Sequence, residues 1–333
     1  MERVINGYKV IGDMHISGFS QWGYAKKNGR EYFIKEFLEP KYPVDNTVSE
    51  AVRNRMMNEC REFVRKHDRI YKTINECSCG HIVRTYEFFR EKSKYYIVTE
   101  KINNASIKTE SVAKENIKTK LLLCMVIALD LSKIHKKGMI HSDIKADNIL
   151  LKRTHDGSLS GKIIDFDCSF FEDEGRDGEE INGDMVYFSP EMLKCIVGEE
   201  AVITHKSDIF SIGILFHQYF TGSLPIFDIG SFDSAAEAVL EGNVLTASGI
   251  TDPRIGLVIE KMLSAKPQER PELTTVYEIF RRIYLGENFD IRDYFDTKFV
   301  AEKVRGYTKK EEVKEAPKSV EKKKTEFTRA ADL

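Results

Sequence analysis

The chain has 333 residues, of which 41% are hydrophobic and 31% charged, enough for one large core or two modest ones. A formal net charge of -2 carries no electrostatic footprint for nucleic acid, so none is expected as a partner. Six cysteines without regular spacing imply free thiols in a reducing compartment; Cys77, Cys79 and His81 crowd too closely in sequence to supply a tetrahedral metal shell.

The opening, MERVINGYKVIG, lacks the apolar stretch of a signal peptide. The longest apolar run, LLLCMVIAL from Leu121, is about half of what a bilayer span needs. A cytoplasmic protein with no transmembrane segment is expected.

Residues 8 to about 100 are strand-rich with one long helix inserted. YKVIG, GYAKK and EYFIKEFL read as short strands divided by glycine-containing turns. From Ser49 to Ile74 there is neither Gly nor Pro, and the apolar residues recur with helical spacing. HIVRTYEFFREKSKYYIVTE predicts two strands joined by a charged turn, and KINNAS reads as a linker. Past residue 110 the pattern turns helical. Leu121 to His135 predicts a helix buried on most faces. Ser207 to Gly222 predicts another, with Ser207 or Asp208 as N-cap and Gly222 as stop. Further helices are expected at 233–241, 254–263 and 273–284. The resulting division is a β-rich lobe over 1–100, a helical lobe over 101–300, and a charged, flexible tail over 301–333 that is too poor in apolar residues to fold alone. The fold class is α+β.

MIHSDIKADNILLK, Met139 to Lys152, sets two carboxylates, a lysine and an asparagine between apolar flanks. An unpaired carboxylate beside buried chain is costly, which favours a working arrangement over an ordinary polar turn. Asp143 is suited to accept a proton from an incoming hydroxyl, Lys145 to neutralise charge on a transferred phosphoryl group, and Asn148 to hold a cation. Phosphoryl transfer needs such positioning and electrostatic stabilisation above all. Asp165, after the apolar strand GKII, is well placed to complete a magnesium site.

HSDIKADN, IIDFD and VYFSPE, in that order, resemble the catalytic loop, the magnesium loop and the end of the activation segment of the eukaryotic-type protein kinase superfamily. The resemblance runs from about residue 8 to 285. It implies a two-lobed fold: a small antiparallel β-sheet lobe with one long helix, a larger helical lobe, and ATP with Mg2+ between them. It makes His141 the start of the catalytic loop, Asp143 the base, and Lys145 the lysine that touches the transferred phosphate in serine/threonine kinases. Asn148 and Asp165 match the magnesium ligands, and Lys35 of EYFIKEF the lysine on the α- and β-phosphates. Lys35 then needs a carboxylate on the long helix. Glu59 and Glu62 share a face; Glu59 is favoured, with Glu62 the alternative. Glu191 and Arg270 resemble a buried ion pair beneath the activation segment, and Asp208 the acid that accepts hydrogen bonds from the catalytic-loop backbone.

Four departures qualify the resemblance. In GDMHISGFSQWGYA the usual glycines of the nucleotide-covering loop fall on His15, Ser17 and Ser20, with Gly18 between them and Trp22 in place of a valine. Ser17, Gly18 and Ser20 are implied to contact the nucleotide with an altered grip, and Gly23 to relieve crowding beside Trp22. Ser142 stands where an arginine commonly reads a phosphorylated activation loop, and Phe171 to Gly183 contains no Ser, Thr or Tyr. Asp167 replaces a glycine after Asp165 and Phe166, where unusual backbone dihedrals are expected; its added negative charge near the ATP phosphates is expected either to recruit a cation or to hinder nucleotide binding. Asp184 replaces a hydroxyl residue expected to touch Asp143 and Lys145, where a carboxylate is expected either to salt-bridge to Lys145 or to raise the affinity of Asp143 for a proton. The implied function is ATP- and Mg2+-dependent phosphorylation of serine or threonine in a protein substrate, independent of activation-loop phosphorylation. Control would then pass through a regulatory protein partner, the long helix or the tail. Lys145 two residues after Asp143, with Asp147 where tyrosine kinases usually carry arginine, points to serine/threonine. The alternative is a pseudokinase that keeps the fold and acts by binding.

Overall fold

The computed structural model describes residues 3–18, 20–44, 48–102, 107–175, 181–225, 232–243, 246–247 and 249–295. The chain divides into a compact unit over residues 1–291 and a second over 292–333. The tail expected from residue 301 onward lies outside the described residues.

The first unit opens with β1 (Val4–Ile5), β2 (Tyr8–Ser17), β3 (Ser20–Lys27), β4 (Arg30–Phe37), α1 (Glu50–Cys77), β5 (Thr85–Glu91) and β6 (Lys94–Glu100). The strands form one antiparallel sheet in the order β1-β2-β3-β4-β6-β5. Side chains alternate across it, so its two faces differ. Ala25, Ile34, Tyr96 and Val98 close one face together with Ile5 and Tyr8. Glu36 is buried there as well, its charge met by Arg3 and Lys94. The other face sets Ser20, Trp22 and Tyr24 of β3 opposite Phe37, Lys35 and Phe33 of β4.

α1 covers part of that second face. Ser49 caps it, the hydroxyl accepting from the Val52 amide, and no Gly or Pro interrupts its 28 residues. Phe63 and His67 of α1 sit over Phe37 at ring distances of 5.1 Å each, and Phe63 also meets Tyr95 at 5.2 Å. Such aromatic pairs contribute about 0.5–1.5 kcal/mol each beyond the area they bury.

The helical lobe comprises α2 (Thr109–Val112), α3 (Ile117–His135), β7 (Met139–Ile140), β8 (Ile149–Arg153), β9 (Leu159–Ile163), β10 (Phe170–Phe171), α4 (Pro190–Ile196), α5 (His205–Thr221), α6 (Ala235–Leu240), α7 (Pro253–Met262) and α8 (Leu273–Tyr284). α3 and α5 are buried nearly all round; α3 lies against α8 and β9, and α5 against α7. Hydrogen bonds from the Ile163 amide to the His81 carbonyl (2.8 Å) and from the Val83 amide to the Ile163 carbonyl (2.9 Å) stitch the chain after α1 to β9.

The α+β, two-lobed arrangement expected from the sequence is present, with one correction at α5. Its N-cap is Thr204, whose hydroxyl accepts from the Lys206 amide. Ser207 and Asp208 fall inside the first turn, fully buried, because both have partners elsewhere. Gly222 ends the helix in the left-handed conformation, at φ 81°. Among the described residues no helix is long and apolar enough to cross a membrane.

Candidate active site

Between β7 and β8 the chain turns through a buried, polar loop, and Asp208 makes that turn stable. Its carboxylate, 1% exposed, accepts from the amides of His141 (2.8 Å) and Ser142 (2.9 Å) and from His135 Nε2 (2.9 Å). Burial favours its neutral form, but the His135 bond and charge with these amides outweigh burial and hold its pKa below the usual carboxylate range. Ser142 takes φ 67°, and its buried hydroxyl has no hydrogen-bond partner among the described residues. His141 is held from behind, Nε2 donating to the Ile164 carbonyl at 3.1 Å.

Asp143 emerges from this loop already oriented. Lys145 Nζ lies 3.0 and 2.8 Å from its two carboxylate oxygens, and Asn148 Nδ2 donates to its carbonyl and to Oδ2, both at 2.8 Å. Asn148 thus spends its nitrogen on Asp143 and keeps its amide oxygen for another partner. Burial pulls the Lys145 pKa down, but hydrogen bonding and charge from Asp143 raise it overall. Gly183 closes the space above. A Cβ there would meet Asp143 Oδ1 and the Phe188 ring, each at 2.9 Å, and its φ of 149° suits glycine.

The expectation that Asp184 reaches Lys145 is not met. Asp184 Oδ1 instead accepts from the Val186 amide at 3.0 Å and starts a short 3-10 turn. Lys145 is already engaged by both oxygens of Asp143, which leaves Asp184 acting on it only through space.

Lys35 reaches into the same region from β4. Its ammonium is 2.7 Å from Asp167 Oδ2 and 3.0 Å from Asp165 Oδ1. Burial lowers its pKa, yet Asp167 and then Asp165 outweigh burial and hold the ammonium above its ordinary range. The structure does not bring Glu59 to it. Glu59 is exposed and pairs with Arg55 one turn away at 3.0 Å, and Glu62 is exposed too. The buried face of α1 carries Cys60, His67, Ile70, Tyr71 and Ile74, with no carboxylate. His67 is only 5% exposed, and its Nδ1 donates to the Phe63 carbonyl at 2.8 Å. Burial pushes its pKa down to about 4, with Lys66 and Lys35 repelling the added charge. Tyr71 adds a buried hydroxyl without a hydrogen-bond partner among the described residues, its pKa raised by burial and then by Asp167 and Asp165.

Asp165 adopts φ 58°, whereas Asp167 is not among the residues with positive φ, so the unusual dihedral falls two residues earlier than expected. Lys35 holds Asp165 ionised, below the usual range despite burial; burial with repulsion from Asp165 and Asp143 raises Asp167 to about 6. Asn148 and Asp165 offer oxygen donors, the chemistry that suits Mg2+. Among the described residues no group of three or more His, Cys, Asp or Glu side chains is arranged as a metal cage. A magnesium ion would therefore complete its shell with phosphate oxygens and water.

The hairpin of β2 and β3 stays paired up to Ser17 and Ser20, with Gly18 in the turn at φ 54°. Ser20 is buried, and the Ser17 side chain lies outside what the structure describes. Gly23 lies against the facing strand; a Cβ there would meet Met14 Cγ at 3.3 Å. Trp22 instead stacks on Phe33 at 5.6 Å, with His15 at 4.8 Å and Tyr24 edge-on to Phe33 at 6.2 Å.

The activation segment is anchored at both ends. Glu191 and Arg270 form a bidentate pair (2.7 and 2.8 Å) that is almost wholly buried, and Ser207 Oγ donates to the same carboxylate at 2.7 Å. Near the start, Arg69 of α1 donates to both oxygens of Asp173 and to Glu174, each at 3.0 Å, while its guanidinium lies 3.6 Å from the Phe171 ring centroid. Glu172 accepts from the His205 amide at 2.7 Å.

The family model described as "Protein kinase domain" matches residues 45–280. The chain belongs to the protein kinase domain family. It is similar to Serine/threonine/tyrosine-protein kinase HT1 of Arabidopsis thaliana, at 28% identity over 195 residues, 56% of this chain and 47% of that protein. Calcium-dependent protein kinase 26 of Oryza sativa subsp. japonica matches at 33% over 164 residues, 48% of this chain and 28% of that protein. Aurora kinase of Schizosaccharomyces pombe matches at 27% over 256 residues, 75% of this chain and 66% of that protein. This kinase domain therefore spans at most 66% of the length of these three relatives.

Several residues of this kinase domain escape sequence reasoning. Phe33 shares a face with Trp22 only through the β3–β4 register. His67 comes under the field of Lys35, and Tyr71 under that of the two acids, only through the rotation of α1. Arg69 could be found only as a basic residue on the same helix as Glu59, with nothing to link it to acids about a hundred residues on.

Proposed function

We propose that this kinase domain transfers the γ-phosphoryl group of Mg2+-bound ATP to serine or threonine hydroxyls of a protein substrate. The observation that carries this reading is Asp143, fixed by Lys145 and Asn148, with the Lys35–Asp165 pair close enough for Asp165 to act on Lys145 through space. The substrate hydroxyl gives its proton to Asp143 as its oxygen bonds to phosphorus and the bond to ADP breaks. Lys145 meets the charge on the moving phosphoryl group, and Lys35 holds the phosphates that stay behind. Mg2+, held by the Asn148 amide oxygen and the Asp165 carboxylate, would neutralise phosphate charge. Lys145 beside Asp143 supports serine/threonine acceptors.

Regulation follows from the activation segment. Asp173 and Glu174 are already tied to Arg69, and Glu172 to His205, so no added phosphate is needed to dock this part of it. Catalysis is then independent of activation-loop phosphorylation, and control falls to a protein partner acting through α1.

The half-buried Trp22–Phe33 stack favours a second reading. Lys35 has the covered Phe37 on one side of it along β4 and this aromatic pair on the other, so a nucleobase reaching away from Lys35 must stack on the pair or be excluded by it. Exclusion would make the protein a binding module. Thermal unfolding with Mg-ATP separates the two. The kinase reading expects a rise in Tm that Lys35→Met removes; no rise in Tm, with a shift on adding a protein partner, supports the binding module.

A further inference from the structure

We propose that Asp167 is the positioning residue for Lys35, supplying the ion pair that α1 does not, so that Asp165 remains available to a cation. The meaning of Lys35 as a phosphate-binding group rests on the phosphoryl-transfer reading; the ion pair stands without it.

A buried ammonium is stable only when paired. Lys35 is 9% exposed, and the α1 face over it presents Phe63, His67 and Tyr71, none of them negative. Its pairing has to come from the other side of the cleft, and it does: Asp165 and Asp167 flank Phe166 and converge on Nζ. Phe166 is 3% exposed and 4.6 Å from the His141 ring, so it anchors the tripeptide while its neighbours point together toward Lys35.

With glycine at 167, Lys35 would have Asp165 alone, and that carboxylate is also the one a cation requires. Lysine and metal would then compete for one group. With Asp167 present there are two carboxylates, and the closer contact to Lys35 is the one Asp167 makes (2.7 against 3.0 Å). The backbone imposes no glycine here, since Asp167 is not among the positive-φ residues. The D-F-D sequence thus compensates for a helix without its acid.

The test is to install the family's glycine. Asp167→Gly is expected to weaken Mg-ATP binding, measured by titration calorimetry, by roughly tenfold or more, the size of a lost hydrogen bond to a charged group. Adding His67→Glu, which returns a carboxylate to the buried face of α1, is expected to recover most of that affinity; mere disturbance at residue 167 would not be repaired from the helix. Affinity equal to or above wild type in Asp167→Gly overturns the proposal. A second measurement needs no nucleotide: urea midpoints for Asp167→Asn in wild-type and Lys35→Met backgrounds. The loss caused by Asp167→Asn should vanish once Lys35 is gone, and an equal loss in both backgrounds overturns the ion-pair role. If wild type binds no nucleotide, the phosphoryl-transfer reading falls while this cycle still decides the role of Asp167.

Discussion

His67 gives the fold a specific sensitivity to acid. Its folded pKa lies near 4 against an ordinary 6.5, because the ring is buried among Phe37, Phe63 and Phe88 with Lys35 nearby. Below pH 6.5 the unfolded chain takes up a proton that the native state refuses, so stability is complete above that value and falls as pH drops toward 4. The linkage relation gives a loss of about 1.4 kcal/mol by pH 5.5 and about 2.5 kcal/mol by pH 4.5, with little at pH 7. Other groups titrate over the same range, so the measurement is a difference. Urea unfolding of wild type and His67→Phe at pH 7, 5.5 and 4.5 isolates the imidazole, because phenylalanine keeps the aromatic packing and cannot titrate. Wild type should lose stability relative to the variant by those amounts. Parallel curves would mean that burial does not hold His67 neutral in the fold, and that the carboxylate-free face described for α1 is wrong.

Removing Arg270 (Arg270→Ala) strands the buried Glu191 carboxylate and should cost about 3–5 kcal/mol in chemical denaturation; a loss below about 1 kcal/mol would contradict the buried pairing. Gly183→Ala presses a methyl group against Asp143 Oδ1 and Phe188, and kcat should fall about a hundredfold from misplacement of the base with Mg-ATP affinity unchanged. An unaltered kcat would show that the segment does not sit over Asp143. Arg69→Ala removes an exposed clamp, so stability should change by less than about 1 kcal/mol while limited proteolysis of the activation segment accelerates. Unchanged cleavage would mean the clamp does not hold the segment.

The parts of the site that lie within one short stretch of chain were legible in the sequence. Asp143, Lys145 and Asn148 share a single loop, and the structure brings the other two onto Asp143. Asp208, Glu191 and Arg270 were legible through resemblance and are where a polar residue beside apolar chain must find a buried partner. Whatever depends on how two elements rotate against each other was not. The partner of Lys35 required the phase of α1 over β4, and a helix of 28 residues offers acids on several faces. Trp22 against Phe33 required strand register, which a hairpin turn sets and composition does not. The matched family region begins at residue 45, after β4, so what Lys35 and Trp22 face within β1 to β4 rests on strand register.

Transfer of labelled γ-phosphate from Mg-ATP to a generic protein substrate tests the central claim most directly. It is to be followed with wild-type protein, Asp143→Asn, and wild type pretreated with a phosphatase that is then removed. Label should appear on serine and threonine, disappear with Asp143→Asn or on chelation of Mg2+, and form at the same initial rate after phosphatase treatment. No transfer from a folded wild-type protein, or equal transfer by Asp143→Asn, would contradict the account.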